Sequence, residues 1–350
     1  MDTENDMKKI LCLVLSVEQP STKYRVYQYT DFFRSRGIRL VPHEIAGKRF
    51  KKKLKLIRLA KEFDAVLLQK KLLSPELLRY LKYQNPNVCY DFDDALYARE
   101  SFAVKRAGYY PGSFLVRWKL NGTLKNVPCV VAGNRTLADY AVRLNPRVFV
   151  VPTPVDINRY SFVHRKRERD FRIGWIGTSS NQFYLNRIIP EVIQFLNAFP
   201  DAYFHYMSNK DILDISHNKV YFHVWSEGRE IDFFQKLSVG LMPLRDDDWS
   251  RGKCAFKALQ YMSTGLPAIV SNVGMNADLI RHGENGFLVS ADGEWYKYLE
   301  WFHDNSDLLL KIGQEARVTV ENDYSVEHCG NRLLDSLMKV FGNSWEKMKN

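Results

Sequence analysis

The chain has 350 residues, 45% hydrophobic and 26% charged, which is apolar material for two Rossmann-sized units. That balance excludes a disordered chain, and no uncharged run approaches the ~20 residues of a membrane span. Lys and Arg number 51 against 40 Asp and Glu, a formal charge of +11, which points to polyphosphates, anionic lipid or nucleic acid as partners.

Acidic residues precede the first short apolar run, unlike the basic start of a signal peptide. Cys12, Cys89, Cys129, Cys254 and Cys329 form no CxxC pair, so reduced, packed thiols and a cytoplasmic location are expected. Short apolar runs then alternate with amphipathic segments, the pattern of parallel βαβ units. Strands are predicted at Lys9–Ser16, Arg39–Ile45, Ala65–Gln69, Val88–Asp91, Cys129–Ala132 and Val148–Val151. Helices are predicted between them, as at Tyr24–Arg36 and Pro75–Tyr83. Two prolines in Val151-Pro-Thr-Pro-Val155 favour an extended link, and the charged run His164–Asp170 follows. The boundary is placed here, giving a first domain over 1–158 and a second over 159–330, with a terminal helix over 331–350.

The second half restarts the alternation. Its predicted strands are Arg172–Ile176, Ala202–His205, Val220–Phe222, Val239–Pro243, Ala268–Ser271 and Phe287–Ser290. Its predicted helices are Asn181–Asn197, Glu230–Leu237, Phe256–Thr264 and Asn276–His282. The expected fold class is α/β, two open domains with parallel sheets facing across a cleft, with ligands beyond the carboxyl ends of the strands.

Arg172-Ile-Gly-Trp-Ile-Gly-Thr-Ser-Ser180 reads as a strand, a glycine turn and a helix start. Gly177 allows close backbone approach, and Thr178 and Ser179 offer amides and hydroxyls to an anion. In Trp249–Pro267, Gly252 permits a tight loop before a helix, followed by Lys253, Cys254, Ala255, Phe256 and Lys257. Cations at a helix start oppose its dipole by ~0.3–1 kcal/mol each. Either Lys253 and Lys257 point to solvent, or an anionic ligand reverses that penalty. Cys89-Tyr-Asp-Phe-Asp-Asp-Ala95 gathers carboxylates at a strand end, for proton transfer, a metal or a helix cap. Lys23-Tyr-Arg25 could reach a phosphate from the opposite wall, through Tyr24 and Arg25. The basic segment Lys48–Arg58 carries Phe50, Leu54 and Ile57 at helical spacing, suited to anionic lipid, to nucleic acid or to a solvated face. Tyr109–Lys119 mixes aromatic and basic residues in the same manner.

The run Lys253-x-x-x-Lys-Ala-Leu-Gln-Tyr-Met-x-x-Gly-x-Pro267, with Ser271-Asn-Val-Gly274 and Gly283-Glu-Asn-Gly-Phe-Leu288, resembles the donor-binding core of retaining family-4 glycosyltransferases of GT-B fold. The likeness covers most of the second half and the first only patchily. It implies a nucleotide-sugar donor, a glycan or lipid-linked acceptor, no cofactor and no metal. It places Asp93 and Asp94 near the acceptor and donor sugar. Members usually carry two glutamates in this region; here Gly252 and Gln260 stand in their places. Gln260 can still hydrogen-bond to the donor ribose, and Gln260→Glu is expected to be tolerated. The first glutamate's role falls vacant or passes to Asp246, Asp247 or Asp248. The basic residues that usually follow the first glycine loop are also absent, and Lys253 and Lys257 are the candidates to replace them at the diphosphate. The alternatives are a catalytically silent nucleotide-sugar-binding protein and, against the spread of basic residues, a nucleic-acid-binding protein.

Overall fold

The computed structural model describes residues 7–102, 110–163, 169–213 and 215–347. Residues 164–168 of the charged run and Tyr109 of the aromatic segment lie outside that set. Two six-stranded sheets form, and every pairing in them is parallel. The first comprises β1 (Lys8–Val14), β2 (Ile38–Glu44), β3 (Ala65–Gln69), β4 (Val88–Phe92), β5 (Cys129–Ala132) and β6 (Val148–Val150). The second comprises β7 (Phe171–Ile176), β8 (Ala202–Ser208), β9 (Val220–Val224), β10 (Val239–Met242), β11 (Ala268–Ser271) and β12 (Phe287–Val289). Their orders are β2-β1-β3-β4-β5-β6 and β12-β11-β10-β7-β8-β9. The order reverses direction beside β1 and β3 in one sheet and beside β7 and β10 in the other. Such switch points open a crevice beyond the strand ends.

Two predicted helices are divided. Tyr24–Arg36 becomes a helix over Pro20–Arg25, a 3-10 turn at Tyr27–Tyr29 and a helix over Thr30–Arg34. The break falls at Val26 (φ −128°, ψ −63°), next to an Arg25 that turns inward. Asn181–Asn197 becomes a 3-10 turn at Ser179–Asn181 and helices over Gln182–Asn186 and Ile189–Ala198. Pro190 has no N–H to continue a helix, yet is suited to begin one.

Arg25 is 2% exposed and meets Asp91 at the end of β4, where Nε lies 2.8 and 3.0 Å from the two carboxylate oxygens. Its Nη1 donates to Val151 O at 3.1 Å and to Thr153 Oγ1 at 3.2 Å in the proline link. This buried fork ties the turn after β1 to the point where the chain leaves the first domain. The chain returns beside the same place: Val155 N–H donates to Tyr324 O at 2.9 Å. The last helix, Val326–Lys347, then packs on the first domain. Cys329, Leu333, Leu337 and Phe341 join Ile10, Cys12, Val14 and Phe33 in one apolar cluster.

The helix Phe50–Leu59 corrects the sequence reading of its apolar face. Ile57 is fully buried and Leu54 packs against the core, so that face closes the domain; only Phe50, 61% exposed, is left outside. Apolar residues at this spacing serve a core before they serve a surface, since burial gains about 25 cal/mol per Å².

Arg25→Ala leaves the Asp91 carboxylate buried without its partner and should cost about 3–5 kcal/mol of unfolding free energy. Urea denaturation checks this, and a loss below 1 kcal/mol would show that the fork is not structural.

Candidate active site

The crevices of the two sheets face each other at a seam of close backbone contact. A Cβ on Gly252 would lie 2.5 Å from Ala95 Cβ and 2.9 Å from Ala95 N, distances only a hydrogen can accommodate. A Cβ on Gly133 would lie 2.5 Å from Cys254 Sγ. Cys254 Sγ contacts Asp93 O at 3.4 Å, and Asn134 Nδ2 donates to Lys253 O at 3.0 Å while its Oδ1 caps Leu137 N–H. The carboxylate loop after β4 and the turn after β5 are thus docked on residues 252–255 of the second domain.

Ala255 sits in the left-handed region (φ 49°) immediately before the helix Phe256–Ser263, a conformation that costs a non-glycine residue about 1–2 kcal/mol. Across this turn Lys253 and Lys257 are both half-buried. Lys257 reaches the glycine turn after β7: a Cβ on Gly177 would lie 2.9 Å from Lys257 Cε. Burial, then the charge of Lys253, lower the Lys257 ammonium to about 7, with Asp94 opposing. Burial also lowers Lys253, against the pull of Asp94. Its ammonium lies over the rings of Trp249 and Tyr184, at 5.5 and 5.6 Å. Among the described residues neither lysine has a carboxylate within ion-pair distance.

The other candidates are arranged as follows. Asp93 and Asp94 both pair with Lys70, a residue in left-handed backbone (φ 56°) at the end of β3; the Asp93 contact is 3.2 Å. Lys70 carries no motif, and only the pairing of β3 with β4 reveals it. Tyr24 packs on Phe256 across the cleft with ring centroids 4.0 Å apart, and burial, then Glu230, raise its hydroxyl to about 12. Arg25, expected on the phosphate side, is instead turned into the frame, because Asp91 accepts from its Nε and Nη2 while Val151 and Thr153 take Nη1. Thr178 is exposed, and the Ser179 N–H is occupied by Asn209 Oδ1 at 2.8 Å. Asp246 and Asp248 pair with Arg251, and Asp247 caps Ser250 N–H and accepts from Ser101 Oγ. All three aspartates offered for the vacant glutamate position are therefore engaged locally. Gln260 is 4% exposed and hydrogen-bonded to Tyr160 and Glu230, the latter a residue the sequence reading passed over. Lys23 and Arg159 share Glu227, which links the two domains at the cleft's edge. Among the described residues no group of three or more His, Cys, Asp or Glu is placed to hold a metal ion.

Residues 170–304 match the family model for glycosyl transferases group 1. A comparison with curated proteins finds no match. Among solved structures, a glycosyltransferase from Rickettsia africae is 14% identical with a TM-score of 0.72, over 97% of this chain and all (100%) of that one. Sucrose-phosphate synthase of Thermosynechococcus elongatus is 11% identical with a TM-score of 0.71, over 96% of this chain and 100% of its own. HepE of Anabaena, solved with UDP-glucose, is 14% identical with a TM-score of 0.68, over 95% of this chain and 99% of its own.

The seam itself is testable by stability. Gly252→Ala should cost about 1–3 kcal/mol by overpacking. Gly122→Ala, on an open stretch of the helix Phe114–Asn126 where an added Cβ meets nothing within 4 Å, should gain up to about 1 kcal/mol. Equal effects in denaturant titrations would show that the seam is not tight. The chain thus has two facing parallel sheets of GT-B fold, and its residues 170–304 form a domain that matches glycosyl transferases group 1.

Proposed function

We propose that the second domain holds a nucleotide-sugar and passes its glycosyl group, with retention, to a glycan or lipid-linked acceptor offered by the first, in surface polysaccharide or glycoconjugate synthesis. One observation carries this reading. Lys253 and Lys257 lie half-buried together at a helix start, beside the Gly177 turn, without a carboxylate partner among the described residues. Two unpaired cations there are costly to the free chain, and a diphosphate removes the cost.

The acceptor hydroxyl attacks the anomeric carbon from the face the nucleotide leaves. The bond from that carbon to the diphosphate breaks, and the departing phosphate oxygen takes the acceptor's proton. Lys253 and Lys257 stabilise the charge that develops on the leaving group. Gly177, Thr178 and Ser179 line the phosphate side, with Gly252, Cys254, Ala255 and Phe256 forming the loop beneath, and Gln260 meets the ribose. Asp93 and Asp94, held by Lys70, face the sugar and the acceptor. The scheme calls for no metal and no cofactor, and nucleic acid is not its partner.

Lys257→Ala and Lys253→Ala should each weaken nucleotide-sugar binding tenfold or more in calorimetric titration while leaving thermal unfolding nearly unchanged. Unaltered affinity in both would refute the assignment. Because Lys257 titrates near 7 in the free chain and a diphosphate favours its charged form, binding should take up a proton at pH 8. Affinity should therefore fall as pH rises above 7. Titrations in buffers of different ionisation enthalpy read the proton uptake directly, and release of a proton would reverse the sign of the argument.

The reading extends to a cytoplasmic protein resting peripherally on an anionic membrane. Among the described residues no helix is long and apolar enough to cross one. Lys51, Lys52, Lys55 and Arg58 are exposed on the helix Phe50–Leu59. On the helix Phe114–Asn126, Phe114 is 85% and Trp118 50% exposed. A groove of about 500 Å³ between this helix and Pro75–Gln84 is lined by Arg79, Lys82, Lys119 and Lys125. Cations reaching headgroup phosphates beside exposed aromatic rings suit an interface, each cation contributing about 1 kcal/mol. Co-sedimentation should rise with the anionic lipid content of vesicles, fall with salt, and weaken in Phe114→Ala/Trp118→Ala. Equal binding to neutral and anionic vesicles would favour a soluble acceptor.

A further inference from the structure

Glu230 opens the short helix Glu230–Gln235 and is buried, as are Tyr160 and Gln260. Tyr160 Oη donates to Glu230 Oε2 at 2.7 Å. Gln260 Nε2 donates to Tyr160 Oη at 2.8 Å and to Glu230 Oε1 at 3.1 Å. Trp225 Nε1 approaches the same Glu230 oxygen at 3.5 Å, and Arg159 Nη2 lies 3.6 Å from the other.

The chemistry of these groups leaves one arrangement. A carboxylate has acceptors only, so the nitrogen of the Gln260 amide faces it, not the oxygen. The Tyr160 hydroxyl has committed its proton to Glu230 and can only accept from Gln260. Both acceptors therefore engage the amide nitrogen and select one of its two flips. Gln260 Oε1 makes no hydrogen bond to the described residues, although the side chain is buried. One turn earlier on the same helix, Phe256 packs on Tyr24 across the cleft.

We infer that Glu230 is a positioning residue: with Tyr160 it holds Gln260 so that Oε1 is offered as an acceptor to the hydroxyls of the donor ribose. The inference rests on the nucleotide-sugar reading above. It also replaces the expectation that Gln260→Glu is tolerated. A carboxylate at position 260 would stand about 3 Å from that of Glu230, and like charges so close disfavour each other. The pair works as one amide and one carboxylate, in either order.

The test uses the full chain and calorimetric titration with UDP, ADP and GDP. The tightest of the three is then compared with its 2′,3′-dideoxy counterpart. The wild-type chain should prefer the ribonucleotide by about tenfold, the scale of one good hydrogen bond. Glu230→Gln should lose most of that preference while the dideoxy nucleotide binds as before. Gln260→Glu should weaken both ligands, and the exchanged pair Glu230→Gln/Gln260→Glu should recover the preference. A merely structural Glu230 would lower both affinities alike, and the exchange would not restore them. Full preference in Glu230→Gln overturns the proposal. If Glu230→Gln does not fold, Tyr160→Phe removes the second anchor and must still reduce the preference; if it does not, the proposal fails. A wild-type chain that binds the diphosphates without preference for the ribose refutes this inference alone. A chain that binds none of them refutes the donor reading as well.

Discussion

Across the cleft the two domains touch backbone to backbone, and the rest of the site follows from that contact. Gly252 lies against Ala95, and Gly133 against Cys254, at separations that leave no room for a β-carbon. Asn134 adds a hydrogen bond to the Lys253 carbonyl while its other amide atom caps a helix of the first domain. A side chain at either glycine would act as a wedge, and a wedge of one methyl group is felt in a close-packed interior. The contact brings residues from the ends of β3, β4 and β5 against the loop that precedes Phe256–Ser263. Neither sheet builds the site by itself.

Charge is divided unevenly over this seam. On one side Lys70, in a strained turn, bridges two aspartates, so that the repulsion between Asp93 and Asp94 is offset by a shared cation. On the other side Lys253 and Lys257 are half-buried and meet no such partner among the described residues. Burial lowers both ammonium groups, and the charge of Lys253 lowers that of Lys257 further, which makes the free chain ready to gain from an anion. Part of the chain's excess of positive charge is thereby given a location. Another part covers the outer helices of the first domain, where Lys53 and Lys119 depress Lys71 after burial has done so.

Around this centre the frame is fixed by polar contacts that take no part in the chemistry. The Arg25–Asp91 fork ties the first crevice to the outgoing link, and the Val155–Tyr324 bond brings the returning chain to the same point. The final helix then seals the first domain with Cys329, Leu333 and Phe341. Chain exit and chain return are adjacent, so a relative movement of the domains would pivot there. Lys23, Glu227 and Arg159 form the matching contact at the cleft's edge, half-exposed and correspondingly easy to break.

Alternation of apolar runs with amphipathic segments was sufficient to read two parallel sheets and nearly all their strands, because side-chain periodicity is a local property. The glycine turn at Gly177 and the lysines of Trp249–Pro267 were legible for the same reason: their chemistry lies within one short stretch. Other features were decided only by the tertiary structure. Arg25 reads as a cation able to reach a phosphate until Asp91, 66 residues away, claims it. Phe50, Leu54 and Ile57 read as one apolar stripe whose covering stays open until the core takes Leu54 and Ile57. Lys70 and Glu230 belong to no motif, and their partners come from neighbouring strands and helices. Periodicity reports which face of an element is apolar, but not what covers that face. A buried charge finds its counterpart through the fold, since the pairing energy depends on distance in space rather than along the chain.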